Sequence, residues 1–166
     1  MIISRRIGRL STTLLAVLLF LVAGIGSAAA EDEWIVRESS RSVSKTVERL
    51  TTAIERSGGK VVAVVDHSAN AEAAGLELAP TTVVLFANPR LGTPAIAARR
   101  QIAIDLPLRM LVWEEEGVTR LGYPSIATLA HRYDLALDDR KLSRMGDALA
   151  SLASAALNRS EDVEAR

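Results

Sequence analysis

The first regular pattern along the chain begins at Ser42. Val43, Val47, Leu50 and Ile54 recur at steps of four, three and four, the stripe of an amphipathic helix. Ser42 is placed to cap that helix, and Gly58-Gly59 supplies a left-handed stop. Ahead of it, residues 34–38 read as a short opening strand. Behind it, the β-branched run 60–66 (KVVAVVD) predicts a buried strand, and the alanine-rich stretch 68–74, closed by Gly75, predicts a short helix. Residues 81–87 (TTVVLFA) form the clearest strand, entered after Pro80 and left through Asn88-Pro89. Thr93 and Pro94 then predict a helix running through Gln101, with Thr93 as cap and Pro94 at the first helical position.

Residues 108–114 and 118–123 predict a strand pair turned at Glu115-Glu116-Gly117. A helix is expected over 125–133. Leu142, Met145, Leu149, Leu152 and Ala156 step by three, four, three and four, marking a last helix over 138–157. The order β-α-β-α-β-α-β-β-α-α predicts an α+β fold of two layers, with about five strands in a sheet whose helices cover one face. No internal repeat interrupts it. Residues 31–157 are expected to be a single domain, with 158–166 a flexible polar tail.

The first thirty residues follow different rules. Arg5, Arg6 and Arg9 precede an apolar run from Leu14 to Ile25, and Ala28-Ala29-Ala30 offers a small-residue cleavage site. This predicts a signal peptide over 1–30 and a mature chain that starts at Glu31. An uncleaved anchor is the alternative, because Leu10 to Ala30 carries no charge and is long enough to span a bilayer. Ser4-Arg5-Arg6 resembles a twin-arginine signal, although Gly8 and Arg9 stand where that signal continues with apolar residues. A periplasmic or secreted location follows from either leader type.

Composition adds two constraints. The chain has 166 residues, 20 basic and 20 acidic, and no cysteine. Removing residues 1–30 takes away three arginines and no acid, which leaves 17 basic and 20 acidic residues, a net charge of −3. That balance argues against a strongly basic nucleic-acid binder. The missing cysteine excludes a lipid-bearing cysteine, a disulfide framework and a thiol nucleophile, so packing alone must hold the domain in an oxidising compartment.

Candidate chemistry is sparse. Asp66-His67, at the end of a predicted strand, pairs a carboxylate with a possible general base, although neighbours on a strand point to opposite faces. The plainer reading has Asp66 or Ser68 capping the next helix. A metal site would have to join His67 to carboxylates such as Asp105 or Glu114, and no clustered spacing supports one. Residues 88–94 (NPRLGTP) lead from a strand end into a helix start, where free N–H groups and the helix dipole favour an anion. Asn88, Arg90, Gly92 and Thr93 are its candidate ligand residues; the alternative is a turn and a helix start with structural roles only. Asp105 reads as a turn former or a weak catalytic candidate, Trp113 as core, and Glu114-Glu115-Glu116 as a solvated hairpin tip.

Several of these segments together resemble a known family. Val64-Val65-Asp66-His67, the stretch 71–78 (AEAAGLEL), Phe86 to Pro94 (FANPRLGTP), Asp105-Leu106-Pro107-Leu108 and Val112-Trp113-Glu114 are similar to the bacterial domain of unknown function family 302. The resemblance runs from about Arg41 to Leu157; Ala87 and Ala95-Ile96 depart from the usual pattern. It implies a small α+β domain, commonly dimeric, and it assigns no activity.

The expected function is therefore an exported binding or accessory domain, homodimeric, receiving a small anion at 88–94. The alternatives are a small envelope enzyme using His67 with Asp66, Asn88 or Asp105, or a metal-binding protein. No cofactor and no nucleic-acid partner are expected, and membrane contact is confined to the leader if it is uncleaved. Mass spectrometry of the exported protein tests the leader: a chain starting at Glu31 is expected, and retention of residues 1–30 contradicts it.

Overall fold

Five antiparallel strands in the order β1-β5-β4-β3-β2 make the sheet. The computed structural model describes residues 34–135 and 140–157. The expected leader (1–30) and tail (158–166) lie outside the described residues. The strands are β1 (Trp34–Ser39), β2 (Lys60–Asp66), β3 (Thr81–Ala87), β4 (Leu108–Glu115) and β5 (Val118–Pro124). The helices are α1 (Val43–Arg56), α2 (His67–Ala73), α3 (Pro89–Ala98), α4 (Ile126–Arg132) and α5 (Arg140–Leu157), with a 3₁₀ turn over Arg100–Asp105. The fold is α+β, as the order of elements predicts. Among the described residues, no helix is long and apolar enough to cross a membrane.

The period of two along each strand decides which side chains meet the helices. Thr82, Val84 and Phe86 of β3, Leu108, Met110 and Val112 of β4, and Leu121 and Tyr123 of β5 are buried toward them. Against this face lie Val43, Leu50 and Ile54 of α1 and Leu142, Met145, Leu149, Leu152 and Ala156 of α5, all buried. The predicted stripes on these two helices are thus the core-facing stripes. Thr46 on the α1 stripe is also fully buried, and its hydroxyl is satisfied by the Ser42 carbonyl (2.9 Å) and by Ser39 Oγ (2.8 Å).

The ends of α1 form as its sequence predicts. Ser42 Oγ accepts from the Lys45 N–H at 3.3 Å. At the other end Gly58 takes φ +78°, a left-handed conformation that a side chain makes costly. Gly59 is needed for room instead, because a Cβ there would lie 3.1 Å from the Ile54 carbonyl oxygen.

The C-terminus of α5 is closed by residues far away in sequence. Arg49 on α1 donates from Nε to the Ala156 carbonyl and from Nη2 to the Ala155 carbonyl, both at 3.1 Å. Arg41 donates to the Leu157 carbonyl at 3.1 Å. Two cations therefore satisfy carbonyls that a helix end leaves unpaired, at the negative end of its dipole.

One helix starts elsewhere than its sequence suggests. Asn88 caps α3 by accepting the Arg90 N–H at 3.0 Å, and Pro89 takes the first turn, so the helix begins four to five residues before Thr93-Pro94. Both Asn-Pro and Thr-Pro are start signals; the earlier one is used, and Pro94 is carried inside the helix at the loss of one backbone donor. Replacing Arg49 with alanine is expected to destabilise the domain by about 1 kcal/mol and to speed amide hydrogen exchange first in the last turn of α5. Exchange that rises evenly over the domain instead contradicts a local capping role.

Candidate functional site

The residues singled out in the sequence divide between opposite ends of the sheet. Asp66 and His67 sit where β2 pairs with the start of β3, since Asp66 faces Thr82. Asn88 follows the far end of β3, and Asp105 precedes Leu108, which pairs with Phe86 at that same end. The strand between them separates the two groups by roughly 20 Å. His67 therefore shares no cavity with Asn88 or Asp105. Asp66 is committed locally: its Oδ1 accepts from the Ala69 N–H (2.9 Å) and from Ser68 Oγ (2.6 Å), capping α2. The Ser68 hydroxyl, followed by the Ala69 N–H, holds the Asp66 carboxyl below its ordinary pKa. Both Asp66 and His67 are exposed. Glu114, whose N–H donates to the Pro80 carbonyl, lies toward the His67 end and away from Asp105. Among the described residues, no three His, Cys, Asp or Glu side chains gather to hold a metal ion.

The 88–94 corner is helical, and its first N–H groups are already used. Pro89 has none, Arg90 donates to the Asn88 side chain, and Leu91 and Gly92 both donate to the Asn88 carbonyl at 2.9 Å. Gly92 and Thr93 line a hollow of about 320 Å³ whose other walls, Val62, Phe86, Ile96 and Leu106 among them, are largely apolar. Arg90 is exposed. A larger groove of about 650 Å³ runs between α1, α5 and the end of β3. Its cations are engaged: Lys45 pairs with Glu48 at 2.9 Å, and Arg49 holds the α5 carbonyls.

A dense polar cluster surrounds Asp105, which is 9% exposed. Its Oδ1 accepts from Arg109 Nη2 at 2.8 Å. Its Oδ2 accepts from Arg132 Nη1 at 2.7 Å and from the Tyr133 hydroxyl at 2.6 Å. One carboxylate thus ties the 3₁₀ turn to β4 and to the end of α4. Burial pushes the Asp105 carboxyl up, but the Tyr133 hydroxyl and the Arg132 and Arg109 guanidiniums outweigh it and hold the carboxyl below its ordinary value. The same contact raises the Tyr133 hydroxyl, with the Asp105 hydrogen bond as the leading cause. A carboxylate fixed in its ionised form by three donors is a weak base, which fits an anchor better than a proton acceptor. Beside it opens a pocket of about 390 Å³, lined by Trp34, Pro124, Thr128, Leu129, Arg109 and Arg132 among others.

The opposite face of the sheet is turned away from α1 and α5. Val36, Gly122, Leu111, Val83 and Val65 follow one another across all five strands in register, an apolar row from edge to edge. Trp113 and Trp34 lean over Gly122: a Cβ there would lie 3.0 Å from Trp113 Cζ3 and 3.4 Å from Trp34 Cε3. Trp34 and Val36 are each 47% exposed. Trp113 therefore belongs to the outer face of the sheet and not to the core beneath the helices, because it stands one residue out of phase with Val112. Charges flank the row, with Arg120 paired to Glu115 and set opposite Glu38.

Residues 35–154 match the family described as Domain of unknown function DUF302. The chain belongs to the DUF302 family. An uncharacterized conserved DUF302 protein from Bacillus stearothermophilus has a crystal structure that superposes with a TM-score of 0.62 at 20% identity, covering 76% of this chain and 96% of that one. At that identity the likeness is one of fold. Two curated relatives are the proteins named fluoride-specific ion channel FluC 1 of Brucella suis biovar 1 (strain 1330) and of Brucella abortus biovar 1 (strain 9-941). Each is 42% identical over 101 residues, 60% of this chain. The match covers 40% and 37% of those relatives, so this DUF302 chain spans about two fifths of their length.

The Asp105 cluster has consequences for stability. Because the folded pKa lies below the unfolded one, the carboxylate's contribution is complete above the ordinary carboxylate range and is lost as pH falls through the folded value. Asp105→Asn is expected to cost about 2 kcal/mol at neutral pH and to flatten the acid side of the stability curve, read by urea unfolding at several pH values. A variant whose acid dependence matches that of the unaltered protein contradicts the anchoring role.

Proposed function

We propose that this DUF302 chain is an exported accessory domain with no catalytic centre, which works as a homodimer joined through the uncovered face of its sheet. The observation that carries the reading is the apolar row Val36-Gly122-Leu111-Val83-Val65, with two tryptophans above it, on the side of the sheet away from α1 and α5. Antiparallel sheets can leave one face to water with polar residues outward; here the outward residues are apolar along this row, with Glu38, Arg120 and Glu115 beside it. A contiguous apolar surface rimmed by charge is the ordinary mark of an association site, and tryptophan is a frequent anchor at such sites. A two-fold dimer presents the same patch from both partners, which suits a flat row that is apolar along its whole length. Export to the periplasm or beyond is supported by the arginines, apolar run and Ala28-Ala29-Ala30 of the leader.

A second reading is favoured by the Brucella proteins. There a matching stretch of 101 residues belongs to a longer protein named as a fluoride channel. In this reading the bare sheet face seats on such a channel, and the domain serves fluoride transport as an accessory.

Analytical ultracentrifugation of the purified chain separates the two. A dimer is expected, converted to a folded monomer by Leu111→Glu or Val83→Glu with an unchanged circular dichroism spectrum. A monomer at all concentrations contradicts the homodimer and leaves the channel accessory as the reading to pursue.

A further inference from the structure

We infer that the pocket beside Asp105 is a binding site for a small monocarboxylate with a compact apolar body, whose charged end is received by Arg109 and Arg132. The pocket lies where β1 starts, β4 starts and β5 ends, under α4 and α5, and holds about 390 Å³. That volume falls within the range of small-molecule sites. Its charged lining is two guanidiniums and one carboxylate, an excess of one positive charge.

The two arginines share Asp105 as a partner and are not consumed by it. Each commits one nitrogen to Asp105, Arg109 through Nη2 and Arg132 through Nη1. Their side chains stay 48% and 55% exposed while that of Asp105 is 8% exposed. A guanidinium carries five N–H donors in a planar fork, so donors on Arg109, and on Arg132 beside its contacts with Asp105 and Tyr133, remain for a second acceptor. Asp105 therefore acts as a positioning residue: it fixes the two forks from behind, removing rotamer entropy that a ligand would otherwise have to pay.

The rest of the wall sets the ligand class. Trp34, Leu108, Pro124, Leu129 and Leu149 supply apolar surface, and Thr128 is the remaining polar neighbour. A multiply charged inorganic anion would leave these walls bare and would meet the Asp105 carboxylate's repulsion without apolar compensation. A monocarboxylate matches the single excess charge, and an apolar body of a few carbons fills the space behind it.

Isothermal titration of the full chain with hexanoate, acetate, hexanol and inorganic phosphate tests this. Hexanoate is expected to bind, with acetate, hexanol and phosphate each about tenfold weaker or more, since each lacks one half of the match. Arg109→Gln and Arg132→Gln, each leaving the other arginine on Asp105, are expected to weaken hexanoate about tenfold while leaving the circular dichroism spectrum unchanged. Hexanol binding as tightly as hexanoate, phosphate binding more tightly than hexanoate, no hexanoate binding, or hexanoate binding unchanged in a folded variant each overturns the proposal. Should both variants fail to fold, the four-ligand comparison on the unaltered chain decides it alone.

Discussion

A sheet whose long helices α1 and α5 pack on one side must leave its other side to something else, and the rest of this molecule follows from that constraint. Alternate residues along each strand are forced apart, one set toward α1 and α5, the other outward. In a one-layered sheet exposed to water the outward set would be polar. Here it is apolar across five strands at the level of Leu111, and Trp34 and Trp113 share the space that Gly122 leaves open. Inside the domain, no buried side-chain nitrogen or oxygen among the described residues lacks a partner. The outer side carries exposed apolar surface at Trp34 and Val36.

The second organising feature is a charge. Asp105 sits at the junction of three elements, and its two oxygens are shared among Arg109, Arg132 and Tyr133. Burying a carboxylate is costly unless it is paired and hydrogen-bonded, and here both conditions are met. Asp105 thereby fastens α4 to the end of the sheet and decides where two guanidiniums point. The same contacts that keep the carboxylate ionised also hold Arg109 and Arg132 at the wall of the pocket beside it.

Much of the fold was legible in the sequence, because it rests on local signals. The stripes at Val43–Ile54 and Leu142–Ala156, the Ser42 cap, the Gly58-Gly59 stop and the hairpin turn at 115–117 are each written within a few residues. The start of α3 was less so: Asn88-Pro89 and Thr93-Pro94 are equivalent signals, and only the folded chain chooses between them. Trp113 reads as core by composition, and its outward phase becomes clear only beside the burial of Val112. Strand order and the closing of α5 by Arg41 and Arg49 are invisible locally, because β1 pairs with a strand 80 to 90 residues away and the arginines meet carbonyls more than a hundred residues away. The same holds for the site. Asp105 stood out as a residue, but Arg132 and Tyr133 come from the end of a helix 27 and 28 positions later. The Asp66-His67 pair, adjacent in sequence and chemically suggestive, is divided from the other candidates by the length of a strand.

The uncovered face is the claim on which the functional account rests most. Hydroxyl-radical footprinting of the purified chain over a dilution series, read by mass spectrometry at Trp34 and Trp113, addresses it directly. Protection of both tryptophans in concentrated protein, lost on dilution while Trp-free peptides of the helix side stay constant, is the predicted result. Labelling of both tryptophans that is high and independent of concentration would contradict it.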